Sequence, residues 1–184
     1  MGRLQCGISI LVTIKDCFDN IPDLDCNPIK ARIVNAFFDR RNLGQQTSGT
    51  VDEITFENFL TTLSFFQHMD DNHTKEDLEY YKNEKLQFLF RMYDTNGDGK
   101  ITLEELREII DELLSKTSNT EKTSSSIADA AMLEAANICM EQTEPDQLYD
   151  GITFDDFLKI MQDMKIETKM HVRFLNMDTT AFCK

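Results

Sequence analysis

The sequence predicts an all-α protein of helix–loop–helix units, paired into two lobes with short β-ribbons between their loops. Three observations carry that prediction. A six-residue pattern recurs as Ile54-Thr55-Phe56-Glu57-Asn58-Phe59, Ile101-Thr102-Leu103-Glu104-Glu105-Leu106 and Ile152-Thr153-Phe154-Asp155-Asp156-Phe157, at spacings of 47 and 51 residues. Such a spacing fits one helix–loop–helix unit plus its linker. Apolar residues flank the pattern with a helical period, and one copy is preceded by a dense run of oxygen-bearing side chains, Asp94 to Asp98.

That run belongs to a complete twelve-residue loop, Asp94-Thr95-Asn96-Gly97-Asp98-Gly99-Lys100-Ile101-Thr102-Leu103-Glu104-Glu105. A hard cation such as Ca²⁺ takes about six to eight oxygens, supplied in an EF-hand from loop positions 1, 3, 5, 7, 9 and 12. Asp94, Asn96 and Asp98 hold the first three positions, Lys100 offers its backbone carbonyl, and Thr102 acts directly or through a water. Glu105 closes the loop with a bidentate carboxylate. Gly99 stands at position six, where the sharp bend would strain a side chain. One calcium site is therefore expected, with an affinity in the sensor range of about 10⁻⁷ to 10⁻⁵ M.

The other two copies keep the second half of the loop and lose the ligands. Counting back from Ile54, the loop opens Thr47-Ser48-Gly49-Thr50-Val51-Asp52, so Thr47 alone leaves a side-chain oxygen at an early ligand position, and Asp52 replaces the bend glycine. Asn58 stands at position twelve. Counting back from Ile152, positions one, three and five are Pro145, Gln147 and Tyr149, and Asp156 at position twelve has no carboxylates opposite it. These hands are expected to act as scaffolding, with Ile101 and Ile152 facing each other across a short ribbon.

Helices are expected on both sides of each loop. Leu86, Leu89, Phe90 and Tyr93 lead into the complete loop, and Leu103, Leu106, Ile109, Ile110, Leu113 and Leu114 leave it. Phe56, Phe59, Leu60 and Leu63 repeat the exit pattern, as do Phe154, Phe157, Leu158 and Met161. Asn27 followed by Pro28 reads as an N-cap and first helical residue for a helix through Ile33 to Phe38. Ile127 to Met140 would enter the last hand. The expected organisation is an N-terminal lobe over 1–66, a charged linker over 67–83, a C-terminal lobe over 84–170 and a tail over 171–184, with a second, Ser/Thr-rich linker over 115–126.

Composition narrows the function classes. The 184 residues suffice for one or two small cores, and a net charge of −14 argues against nucleic-acid binding and against charge-driven adhesion to anionic lipid. Basic amphipathic partners are the complement. Cys6, Cys17, Cys26, Cys139 and Cys183 are odd in number and lack CxxC spacing, which favours a reducing compartment with neither disulfide framework nor zinc. The apolar stretch Ile8 to Ile14 is too short to span a bilayer and has no convincing cleavage site. His68, His73 and His171 have no recognisable nucleophile or acid partner, so catalysis is not expected. Thirteen Phe and nine Met point to core and, in hands without calcium ligands, to apolar faces that could hold a partner helix.

Beyond the loop, several stretches carry a more specific likeness. Phe18-Asp19-Asn20-Ile21-Pro22-Asp23-Leu24, Ala36-Phe37-Phe38-Asp39, Ser126-Ile127-Ala128-Asp129, Glu144-Pro145-Asp146-Gln147 and His171-Val172-Arg173-Phe174-Leu175-Asn176-Met177 resemble the calcineurin B homologous proteins. The resemblance runs from about Ile14 to the C-terminus. It implies four helix–loop–helix units with the third alone competent for calcium, through Asp94, Asn96, Asp98, Lys100, Glu105 and the position-nine Thr102. It also implies binding to the cytosolic juxtamembrane helix of plasma-membrane sodium/proton exchangers, promoting their maturation, surface stability and activity. Inhibition of calcineurin, by likeness to its regulatory subunit, is the alternative. Cytoplasmic, plasma-membrane-associated and nuclear pools go with either role.

The N-terminus departs from that pattern. The family begins with a myristoylated glycine and a full helix, whereas here about a dozen unrelated residues precede Ile14, so the first hand is expected to lack its entering helix. Gly2 is the lipidation candidate, although Cys6 stands where the acylation motif has Ser or Thr, and Cys6 is itself a weaker palmitoylation candidate. A single acyl chain binds membranes only marginally, so a protein partner would have to hold the chain there.

Overall fold

The computed structural model describes residues 12–20, 22–66, 74–115, 121–140, 149–166 and 170. The expected all-α fold of paired hands is present. In the N-terminal half, β1 (Val12–Ile14) leads through a 3-10 turn at Lys15–Asn20 to α1 (Pro22–Asp25) and α2 (Lys30–Phe38). A second 3-10 turn at Arg40–Leu43 precedes β2 (Glu53–Thr55) and α3 (Phe56–Ser64). The C-terminal half holds α4 (Lys75–Tyr93), β3 (Lys100–Ile101), α5 (Leu103–Leu114), α6 (Glu121–Cys139), β4 (Ile152–Thr153) and α7 (Phe154–Ile160).

Each half is closed by one antiparallel ribbon. β1 pairs with β2, placing Thr13 opposite Ile54, and β3 pairs with β4, placing Ile101 opposite Ile152 as the repeat pattern expects. The short strands leave each loop at its isoleucine, which turns into the core, and Thr55, Thr102 and Thr153 then cap the exit helices by accepting the N3 amide.

Three sequence expectations need correction. The helix holding Phe38 starts at Lys30, because the Asn27 carboxamide accepts the Ile29 amide at 3.0 Å and closes a turn first. The stretch 67–83 is not all linker: Thr74 and Asp77 form a capping box that starts α4, so residues 75–83 are helical. Likewise α6 starts at Glu121, inside the Ser/Thr-rich stretch, and Ser124 is buried there. Residues 1–11 and the tail 171–184 lie outside the described residues, and Gly2, Cys6, His171 and Cys183 with them.

Helix faces are also broader than a single stripe. Leu86 and Phe90 are buried as expected, but Phe88 and Met92 on another side of α4 are buried too. The reason is contact between the halves. Phe66, just after α3, stacks on Phe37 of the N-terminal core (5.9 Å between centroids) and meets Phe88 edge-on at 5.3 Å. Phe65 adds a second contact with Phe88 at 5.3 Å. The two cores are therefore continuous through this aromatic seam. Arg32 of α2 strengthens it, donating through Nε to Glu112 of α5 at 2.8 Å. Among the described residues, no helix is long and apolar enough to cross a membrane.

Candidate calcium site

The loop between α4 and α5 is organised around Asp94, which caps the end of α4 and is almost fully buried. Its Oδ1 accepts the Gly97 amide at 2.8 Å and the Asp98 amide at 3.2 Å, and its Oδ2 accepts the Gly99 amide at 3.3 Å. The loop thus winds about one carboxylate. Gly97 and Gly99 sit at φ +75° and +88°, where a side chain would be strained. Asn96 and Asp98 are set by local turns: Asn96 Oδ1 accepts the Asp98 amide at 2.8 Å, and Asp98 Oδ1 accepts the Lys100 amide at 2.9 Å. The Lys100 ammonium points away to Asp150, at 2.7 and 2.9 Å from its two oxygens.

Glu105 reaches back across the loop from the first turn of α5. Its Oε1 accepts the amides of Thr95 (2.9 Å) and Asn96 (3.2 Å) and the Thr95 hydroxyl (3.0 Å). Its Oε2 accepts the Thr102 amide and hydroxyl, each at 2.9 Å. Burial works to raise the Glu105 carboxyl, but the bonds from Thr102, Asn96 and Thr95 outweigh it and hold the group below the usual carboxylate range. Glu105 is therefore ionised at neutral pH.

All six expected ligand positions, Asp94, Asn96, Asp98, Lys100, Thr102 and Glu105, lie on this one loop. They do not make a converged cluster of three His, Cys, Asp or Glu side chains, and none stands elsewhere among the described residues. The carboxylates instead take up the loop's own amides, which relieves the repulsion between like charges. The donor set still fits a hard cation: every available donor is oxygen, two glycines give the bend, and Glu105 already spans the loop. One contact has no local sequence signal. Arg41, from the second hand, donates through Nη1 to Asp94 Oδ2 at 2.9 Å and through Nη2 to the Asp94 carbonyl at 2.8 Å.

The other loops are engaged differently. The second-hand loop folds back on α2, with the Val51 amide donating to Phe38 O and the Arg40 amide to Gly49 O, each at 2.9 Å. In the fourth hand Pro145 and Gln147 lie outside the described residues, and Asp156 is committed to a capping box with Thr153. Asp156 Oδ2 accepts the Thr153 hydroxyl at 2.8 Å and the Tyr149 hydroxyl at 3.5 Å. The neighbouring Cys139 thiol is pushed up, first by burial and then by Asp156, so it is not an activated nucleophile. His68, His73 and His171 are outside the described residues.

Comparison with known proteins agrees with this architecture. Models of an EF-hand domain pair match residues 83–162, across the third and fourth loops, and 51–110, from within the second loop through the third. The chain is 58% identical over 170 residues to calcineurin B homologous protein 3 (tescalcin) of Homo sapiens, covering 92% of this chain and 79% of the relative. It is 56% identical over 176 residues to the Xenopus tropicalis protein of the same name, covering 95% and 82%. To the calcineurin B protein of Naegleria gruberi it is 29% identical over 160 residues, covering 86% and 73%. These likenesses are to calcium-binding EF-hand regulators. With paired hands, one complete loop and more than half of its residues shared with such relatives, the chain belongs to the calcineurin B homologous proteins.

Proposed function

We propose that the chain is a one-site calcium-binding adaptor that holds an amphipathic helix in the cytosolic, membrane-proximal tail of a sodium/proton exchanger. The observation that carries this reading is the exposed apolar face of a hand that lacks calcium ligands. On α3, Phe56 and Leu60 are 46% and 47% exposed, one helical turn apart. A scaffold hand with no partner has little reason to leave such a pair in water, and helix-in-groove recognition uses anchors at this spacing. In the other half, a cleft of about 330 Å³ opens between α4 and α7, lined by Leu78, Leu86, Leu158, Lys82 and Gln162. The net charge of −14 favours a basic partner helix.

Under this reading the calcium loop tunes an assembled complex, and promotion of exchanger maturation, surface stability and activity follows from holding the tail helix. The chain works in the cytoplasm with plasma-membrane and nuclear pools, and acylation at Gly2 would assist membrane attachment. The test is binding of a labelled exchanger juxtamembrane peptide to the full chain, with calcium and then with chelator. Submicromolar binding in both conditions is expected, weakened at least tenfold by Phe56→Asp with Leu60→Asp. Absence of binding in both conditions would reject the exchanger reading.

Likeness to a calcineurin B protein favours one second reading, inhibition of calcineurin as a regulatory-subunit mimic. It predicts suppression of phosphatase turnover at stoichiometric concentration, which an exchanger adaptor does not require.

A further inference from the structure

We infer that Arg41 is a built-in competitor for Asp94, through which the ligand-free second hand lowers calcium affinity and ties it to the docking of the two halves. This deepens, and rests on, the reading of Asp94 to Glu105 as the calcium loop.

Arg41 is held from several sides. Asp39 grips the guanidinium, accepting from Nη2 at 2.7 Å and from Nε at 3.2 Å on each oxygen. The Arg91 carbonyl accepts from Nη2 at 2.8 Å, and Arg91 Nη1 in turn donates to the Arg41 carbonyl at 3.0 Å. Asn42, next in the chain, is pinned by donating to Ala36 O at 2.9 Å. A guanidinium keeps its charge across the physiological pH range, and Asp39 lies against it as counter-ion at 2.7 Å. Arg41 is thus a fixed cation carried by the N-terminal half.

Its two contacts on Asp94 fall on loop position one. Asp94 Oδ2 already accepts the Gly99 amide, so the Arg41 Nη1 bond at 2.9 Å completes that oxygen's ordinary complement of two partners. A cation arriving at Asp94 must therefore displace Arg41 or accept a guanidinium charge within a few ångströms. Either course weakens binding, because charges this close and partly buried are poorly screened. The same two loops also approach closely, since a Cβ added to Gly97 would lie 2.5 Å from Ser48 Cβ and 3.5 Å from Arg41 Nη1. The second hand thus presses on the calcium loop with both packing and charge.

Linkage makes the effect reciprocal. If docking of the halves opposes calcium, calcium must oppose docking by the same factor, and a partner that draws the halves apart tightens calcium. Arg41 is a positioning residue here, not a ligand.

The test is calcium calorimetry on the full chain and its Arg41→Gln and Glu105→Gln variants, with arginine side-chain NMR on the unmodified protein. The expected result is about tenfold tighter calcium binding in Arg41→Gln, inside the roughly 5–150-fold range of coupled sites. The Arg41 side chain should also rotate slowly in chelator and faster once calcium is added. Unchanged or weaker calcium binding in Arg41→Gln, with Glu105→Gln inactive, overturns the Arg41 inference and leaves the loop reading standing. If Arg41→Gln does not fold, the NMR measurement decides, and unchanged Arg41 rotation on adding calcium overturns the inference. A wild-type chain that binds no calcium overturns both.

Discussion

Thr102 and Glu105 hold each other in both directions. The Glu105 amide donates to Thr102 Oγ1 at 3.3 Å, while Glu105 Oε2 accepts the Thr102 amide and hydroxyl at 2.9 Å. One carboxylate therefore starts α5 and stands at the closing position of the calcium loop. The two roles can be separated, because a capping box tolerates Gln where a bidentate cation ligand does not. Glu105→Gln should weaken calcium binding at least a hundredfold, while costing under about 1 kcal/mol of stability in chelator. Calorimetry checks the first and thermal unfolding the second. A full-affinity site in the variant would sink the assignment.

The fourth hand offers a pH prediction. Burial works to raise the Asp156 carboxyl, but hydrogen bonds from Thr153 and Cys139 outweigh it, so its folded pKa is lowered. A group depressed on folding stabilises the protein above its unfolded pKa and loses that contribution as pH falls through its folded value. The stabilisation is therefore present above about pH 4 and lost below it. Asp156→Asn should lower the unfolding temperature at pH 7, and its difference from wild type should shrink toward pH 3. A difference independent of pH would mean that the Asp156 charge contributes nothing.

Phe66 joins the halves by stacking on Phe37 and meeting Phe88 edge-on. Phe66→Ala should cost less than the roughly 3–5 kcal/mol of a fully buried Phe, because Phe66 is only partly covered. The informative readout is cooperativity. Wild type should unfold in chelator as one transition and Phe66→Ala as two, and a single transition in both would show that other contacts suffice.

What is legible in the sequence is local. The complete loop can be read because its side-chain positions one, three, five and twelve and its bend glycine restrict the residue types allowed, and Ile101 opposite Ile152 follows from the repeat. The start of α4 is hidden because residues 75–80 are mostly exposed and carry no apolar stripe, although Thr74 and Asp77 spell a capping box. The Ser/Thr-rich start of α6 is hidden because those residues favour turns on their own, and packing of α6 on α5 overrides that preference. Phe88 and Arg41 have no local signal at all. One faces the other half of the molecule, and the other reaches a carboxylate 53 positions along the chain.

We propose one site for the calcium chemistry, the loop Asp94 to Glu105. Native mass spectrometry of the full chain, titrated with calcium, tests it most directly. One ion bound per chain at saturation, and none in Glu105→Gln, is the predicted result. Two ions per chain, or one retained in Glu105→Gln, would contradict it and make the second or fourth hand a binding loop after all.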